Sequence, residues 1–157
     1  MNAHQKMFPA LTSLLILASP TLVAAANFSG QWVFQPEKSE NVDMMKNVQI
    51  TLTIEQSRDL LTVSEVSVVK GREATRQIHY DLTGKTAANE SAMGEASQTT
   101  SKWVGEKIET SWTHAGAVAG TQVVSTETRS LSADGKTMRD EYVRANRPAV
   151  VLVFERR

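Results

Sequence analysis

A period of two limits this chain more than any other feature. From Asn27 onward, apolar and polar residues alternate in one segment after another, so successive side chains point to opposite faces of a strand. Positions 49–55 are the clearest case: Ile50, Leu52 and Ile54 share one face, and Thr51, Thr53 and Glu55 share the other. Positions 28–34 are rich in aromatic and β-branched residues, and 60–69 return after a turn at 57–59. In 74–82, Ala74, Arg76, Ile78, Tyr80 and Leu82 alternate with Thr75, Gln77, His79 and Asp81. The segments 97–103, 107–113, 121–131, 138–145 and 150–156 also read as strands, and Asp134-Gly135 supplies the positive φ of a tight hairpin turn. The rhythm slips between Val63 and Val66, which predicts a bulge near Glu65. Positions 43–47 suit one helical turn, 86–94 have no clear pattern, and no segment predicts a longer helix.

Strands that follow one another through short turns normally pair with their neighbours. The expected fold is therefore all-β, an antiparallel up-and-down meander of eight or nine strands. A meander of that size twists and can close on itself, which removes its exposed edges. A small closed barrel is either filled by side chains or holds one small ligand. The strand pattern spans 27–157, and a chain of that length supports one core.

The N-terminus has a different character. A short basic start ending at Lys6 leads into an apolar run from Phe8 to Ala18, and then to Val23-Ala24-Ala25-Ala26. This is the pattern of a secretory signal peptide over 1–26, with cleavage expected before Asn27 or one residue earlier. Pro9 and Pro20 interrupt the run, which is shorter than the roughly 20 apolar residues of a spanning helix. The chain has no cysteine, so neither a lipid attached at the cleavage site nor a disulfide is expected, and packing must hold the fold. The location expected is periplasmic or secreted. Seventeen Lys and Arg balance seventeen Asp and Glu, and the only basic run is Arg156-Arg157. A nucleic-acid surface needs a clustered basic face, so that partner is excluded. The expectation is a monomer with no membrane span after cleavage and no cofactor.

Phe28-Ser29-Gly30-Gln31-Trp32 resembles the Gly-x-Trp opening of the lipocalin barrel, in which the Trp closes one end. Ser101-Lys-Trp-Val-Gly105 and Leu131-Ser-Ala-Asp-Gly-Lys-Thr137 extend the likeness along most of the chain. Together these segments resemble a group of small exported bacterial lipocalin-like, calycin-type β-barrel proteins. The resemblance implies the barrel and gives Gly30 and Trp32 the structural task of closing it. That group is largely without an assigned function, so no chemistry follows from the likeness.

The residues themselves point to binding rather than catalysis. His4 leaves with the leader, and His79 and His114, without Cys or His-x-His, do not make a zinc set. No Gly-x-Ser-x-Gly elbow is present. Glu127 and Glu141 are the carboxylates that can meet across the last long hairpin, and cross-strand pairing with Arg129 or Arg139 accounts for them more simply. No catalytic and no metal-binding residue is therefore expected. The interior faces, however, carry Arg76, Thr110, Glu127, Arg129, Tyr142 and Arg144, more polar groups than a sealed core accepts unpaired. Arg76, Tyr80, Trp112 and Tyr142 are the candidate ligand-binding residues, because an Arg and two phenols suit an amphipathic or carboxylate-bearing molecule. The function expected is non-catalytic binding of a small apolar or amphipathic ligand. The alternative is an envelope protein-interaction module of stress or inhibitor type, working through the connections 35–47, 84–96 or 114–120. An enzyme of unknown class stands third and has no motif behind it.

Overall fold

The computed structural model describes residues 25–91 and 93–157. Of the leader expected over 1–26, positions 1–24 lie outside the described residues. Ten strands follow in order: β1 (Gly30–Phe34), β2 (Val48–Gln56), β3 (Leu60–Val69), β4 (Arg72–Asp81), β5 (Thr83–Glu90), β6 (Ala96–Val104), β7 (Lys107–Ala115), β8 (Gln122–Leu131), β9 (Thr137–Arg144) and β10 (Val150–Arg156). They form one antiparallel sheet of order β4-β3-β2-β1-β10-β9-β8-β7-β6-β5. The first and last strands join through Trp32↔Arg156 and Phe34↔Phe154. The meander thus closes into a barrel with one seam, between β4 and β5.

The all-β reading holds, with ten strands in place of eight or nine. The added strand is β5, which removes most of the connection expected at 84–96. Its residues bury no apolar side chain. It is a strand because its backbone pairs with β6, from Thr86↔Thr100 to Glu90↔Ala96, and no local pattern announces it. The bulge expected near Glu65 is absent, since the register of β3 runs unbroken against both β2 and β4. The apolar rhythm slips there because Glu65 occupies an inward position and pairs with Arg76, Oε2 to Nη2 at 2.7 Å. The irregularity lies instead between Thr83 and Thr86.

The short connections at 57–59, 82, 105–106 and 132–136 gather at one end, which is closed. Phe28 and Trp32 are fully buried there, and Phe28 packs on Trp103 with ring centroids 6.1 Å apart. The Trp32 Nε1 donates to the Phe28 carbonyl at 2.8 Å. The Arg156 guanidinium lies over the Trp32 ring, 4.3 Å from its centroid, and donates to the carbonyls of Asn27, Ser29 and Gly135. Gly30 has φ +130°, and a Cβ on it would stand 2.9 Å from Arg156 Nη1. The positive φ favours glycine two residues before the tryptophan, and the missing Cβ leaves room for the arginine from the far end of the chain.

The longer connections, 35–47 among them, lie at the other end. Residues 35–40 run on beside β10, where Gln35 N donates to Val153 O and Glu40 and Val151 exchange backbone bonds. Single 3-10 turns occur at Pro36–Lys38 and Asp43–Met45. No helix among the described residues is long and apolar enough to cross a membrane. At the seam, the Asn89 side chain replaces a ladder pair. Its Oδ1 accepts from His79 N at 2.9 Å, and its Nδ2 donates to His79 O at 2.8 Å. Nδ2 also donates to Thr99 Oγ1 at 2.7 Å.

Asn89→Ala leaves both backbone groups of His79 unpaired and should cost about 1–3 kcal/mol. Native-state hydrogen exchange should then quicken in β4 and β5 before β2 or β9. Trp32→Ala should cost about 3–5 kcal/mol in a denaturant melt, and a loss below about 1 kcal/mol would contradict its place in the closed end.

Candidate ligand-binding cavity

The barrel interior holds a cavity of about 340 Å³, reaching from Arg129 and Asp140 up to Met45, Ser91 and His114 at the end with the longer connections. That volume is at the lower end of the range for small-molecule sites, roughly 300–1,000 Å³. Its lining is two-sided. Ile50 and Leu52 from β2 and Val63 from β3 make an apolar wall, continued by Leu152 and Phe154 from β10. On β6, Ser97 lines the cavity, and Thr99 and Ser101 follow it on the same face, all three buried, before Trp103 at the closed end. Ser101 bonds Thr110 of β7 at 2.9 Å, so this wall satisfies part of its own polarity.

The polar centre is built on β8 and β9. Period two turns Glu127 and Arg129 inward from β8, and the cross-strand register sets Arg129 opposite Asp140 and Glu127 opposite Tyr142. Arg129 is 3% exposed. Its Nε and Nη2 donate to the two oxygens of Asp140, each at 2.9 Å, and Nη2 also donates to Glu127 Oε1 at 2.7 Å. Glu127 is held from the other side by Trp112 Nε1 at 2.7 Å and by the Tyr80 hydroxyl at 3.2 Å. The Tyr80 and Trp112 rings meet edge to face with centroids 6.0 Å apart, and the Arg129 guanidinium carbon lies 5.0 Å from the Tyr80 centroid.

Two donors remain unused. Arg129 Nη1 and Arg76 Nε are buried and have no hydrogen-bond partner among the described residues. Buried polar groups are seldom left so, and both arginines line the cavity.

Burial raises the Asp140 carboxyl to about 6, helped by the Glu127 carboxylate and opposed by Arg129. Burial also lifts the Tyr80 and Tyr142 phenols well above their ordinary value, again with Glu127 adding to it, so both stay neutral. Burial works against the charge on Arg129, but the Asp140 and Glu127 carboxylates outweigh it and hold the guanidinium protonated.

Arg76, Tyr80, Trp112 and Tyr142, chosen from the sequence, all line this one cavity. Gly30 and Trp32 stand at the closed end. Arg144 is exposed at the rim and does not belong to the interior. Glu127 and Glu141 do not meet: Glu141 sits opposite Thr128, on the outer face, and pairs with Arg139 at 2.7 Å. The carboxylate that does join Glu127 is Asp140, which sequence reading passed over although it lies two residues from Tyr142 on the same face. Glu65 is hidden in the sequence by the expected bulge, and Ser97, Thr99 and Ser101 carry no signal beyond that of strand residues. His79 lies on the outer face, 3.3 Å from Thr62 Oγ1, and His114 is at the cavity rim. No metal-holding group of three His, Cys, Asp or Glu occurs among the described residues.

No protein-family model matches this chain, and no curated protein matches it in sequence. Solved structures match it in fold. Lipid binding protein 8 of Caenorhabditis elegans, in its apo form, aligns with a TM-score of 0.65 at 13% identity, covering 87% of this chain and 100% of that one. The REP1-NXSQ fatty acid transporter aligns at 0.64 and 19%, covering 85% and 98%. A Schistosoma mansoni fatty acid binding protein in complex with arachidonic acid aligns at 0.59 and 14%, covering 83% and 96%. At these identities the likeness is one of fold: this chain shares the antiparallel β-barrel fold of those proteins.

The buried cluster predicts a pH dependence. In the folded protein Asp140 keeps its proton up to about 6, against an ordinary value of 3.8. Between those values the folded state binds more protons than the unfolded chain. The stabilising contribution is therefore complete below the lower value and lost once the pH passes the upper one. Asp140→Asn lacks this titration. From pH about 7.5 to about 5, the native protein should gain about 1–2 kcal/mol of stability relative to Asp140→Asn in urea melts. Parallel stability curves for the two proteins would refute the assignment.

Proposed function

We propose that this protein binds one small apolar or amphipathic molecule inside its barrel, without catalysing a reaction on it, in the bacterial periplasm or outside the cell. The observation that carries the reading is the cavity itself: an apolar wall faces a buried polar cluster that still has an unused N–H on Arg129. Burial of the ligand's apolar part against Ile50, Leu52, Val63 and Leu152 would supply affinity, and the polar wall would fix orientation. The neighbouring folds support it, because they include a lipid binding protein, a fatty acid transporter and a fatty acid binding protein. The leader-like pattern over 1–26 supports an exported setting.

A catalytic use of the carboxylates is less well supported. Both oxygens of Asp140 are taken by Arg129, and Glu127 is held by three donors, which leaves neither carboxylate a free oxygen aimed at a substrate.

N-phenyl-1-naphthylamine, a neutral apolar fluorophore, should bind saturably at one site with blue-shifted emission. Leu152→Trp, which fills the cavity from β10, should weaken that binding at least about tenfold, near 1.4 kcal/mol, while far-UV circular dichroism shows the fold retained. Absence of saturable binding, or binding indifferent to Leu152→Trp, would overturn the reading. Native mass spectrometry of protein purified from its own host should show a co-purified apolar molecule.

A further inference from the structure

We infer that the polar end of the ligand is a neutral hydrogen-bond acceptor, a hydroxyl or carbonyl oxygen, and that the cavity discriminates against a free carboxylate. The inference rests on the binding reading above and adds the chemical class of the ligand.

It follows from the charges already inside. Two guanidiniums reach the cavity, Arg129 and Arg76, and each is already matched. Arg129 is bound by Asp140 through two bonds and by Glu127 through a third. Arg76 is bound by Glu65 at 2.7 Å. The interior thus holds three carboxyl groups against two guanidiniums, and burial of the Asp140 carboxyl beside Glu127 already disfavours its charge. A ligand carboxylate would be a fourth, placed where low dielectric magnifies repulsion between like charges. It would also have to compete with Asp140 and Glu127 for Arg129.

What the two arginines still offer is donors without spare charge. Arg129 Nη1 and Arg76 Nε are buried and unpartnered among the described residues, and both side chains line the cavity. An alcohol, aldehyde, ketone, ester or amide oxygen would accept from one of them and bring no charge. Leaving such a donor unmatched is costly, so a ligand with no acceptor at all would bind less well than one with a neutral acceptor. The neutral Tyr142 phenol lines the same space.

The discrimination should be pH-dependent, because Asp140 takes up a proton near 6. The charged and titratable groups that touch it or share its cavity are Arg129 and Glu127 from β8, Tyr142 from its own strand, Tyr80 and Arg76 from β4, Glu65 from β3 and, at the rim, His114 from β7. With Asp140 neutral, two carboxylates balance two guanidiniums and a ligand carboxylate meets less repulsion.

A chain-matched series tests this: a fatty alcohol, the aldehyde, the methyl ester, the primary amide and the free acid, each displacing N-phenyl-1-naphthylamine. At pH about 8 the neutral-ended members should bind at least about tenfold more tightly than the acid. At pH about 5 the gap should narrow, but the acid's own carboxyl also protonates there. Two variants separate the causes. Asp140→Asn and, away from the central cluster, Glu65→Gln should each raise acid affinity relative to the alcohol at pH about 8, with far-UV circular dichroism confirming the fold. An acid that binds as well as or better than the alcohol at pH about 8 would overturn this inference while leaving the binding reading intact. A probe that never binds would overturn the binding reading itself.

Discussion

A guanidinium inside a small barrel cannot stand alone, because taking a charge out of water costs more than most folded domains have to spare. Arg129 is 3% exposed, and the arrangement around it follows from that constraint. Asp140 must lie opposite it on β9, Glu127 two residues before it on β8, and Tyr80 and Trp112 must reach in to hold Glu127. These five side chains come from β4, β7, β8 and β9, so the ionic centre ties together strands that a meander joins only to their immediate neighbours. A shift of one residue between β8 and β9 would turn Asp140 to solvent and leave Glu127 alone to answer the Arg129 charge. The cluster thereby fixes register on that side of the barrel.

The opposite end of the molecule uses an arginine differently. Among the described residues no carboxylate pairs with Arg156. It lies on the Trp32 ring and gives its N–H groups to three backbone carbonyls, tying the N-terminal segment and the β8–β9 turn to the last strand. This joins β1 to β10 and closes the barrel at a point where Gly30, without a Cβ, leaves room for the guanidinium. The closed end is thus a packed plug, and the space left over is pushed toward the longer connections. With one end plugged, the hollow lies at mid-height and reaches the end with the longer connections, beside Met45, Ser91 and His114.

The seam between β4 and β5 shows how little is needed to tolerate an open edge. An unpaired strand edge invites association with another chain. Here the Asn89 amide, a donor and an acceptor on one rigid plane, supplies both groups that a ladder pair would supply to His79. The seam is short of a full ladder yet not bare, and β5 can remain almost without buried side chains because β6 and this amide hold it.

Period two alone determined that the chain is all-β. Short turns determined that neighbouring strands pair, and the alternation placed Arg76, Tyr80, Trp112 and Tyr142 on interior faces. These features were legible because a strand's side-chain direction is a local property that neighbours in sequence share. Three things were decided only by the tertiary structure. β5 exists through its pairing, since its own residues carry no amphipathic signal. Glu65 is an inward charge rather than a bulge, because Arg76 across the ladder answers it. Asp140, and not Glu141, is the partner of Glu127's cluster, because register chooses which of two adjacent carboxylates faces inward. Whether a polar residue on a strand is a solvated ornament or half of a buried ion pair depends on a residue from another strand, and a single sequence does not record that distance.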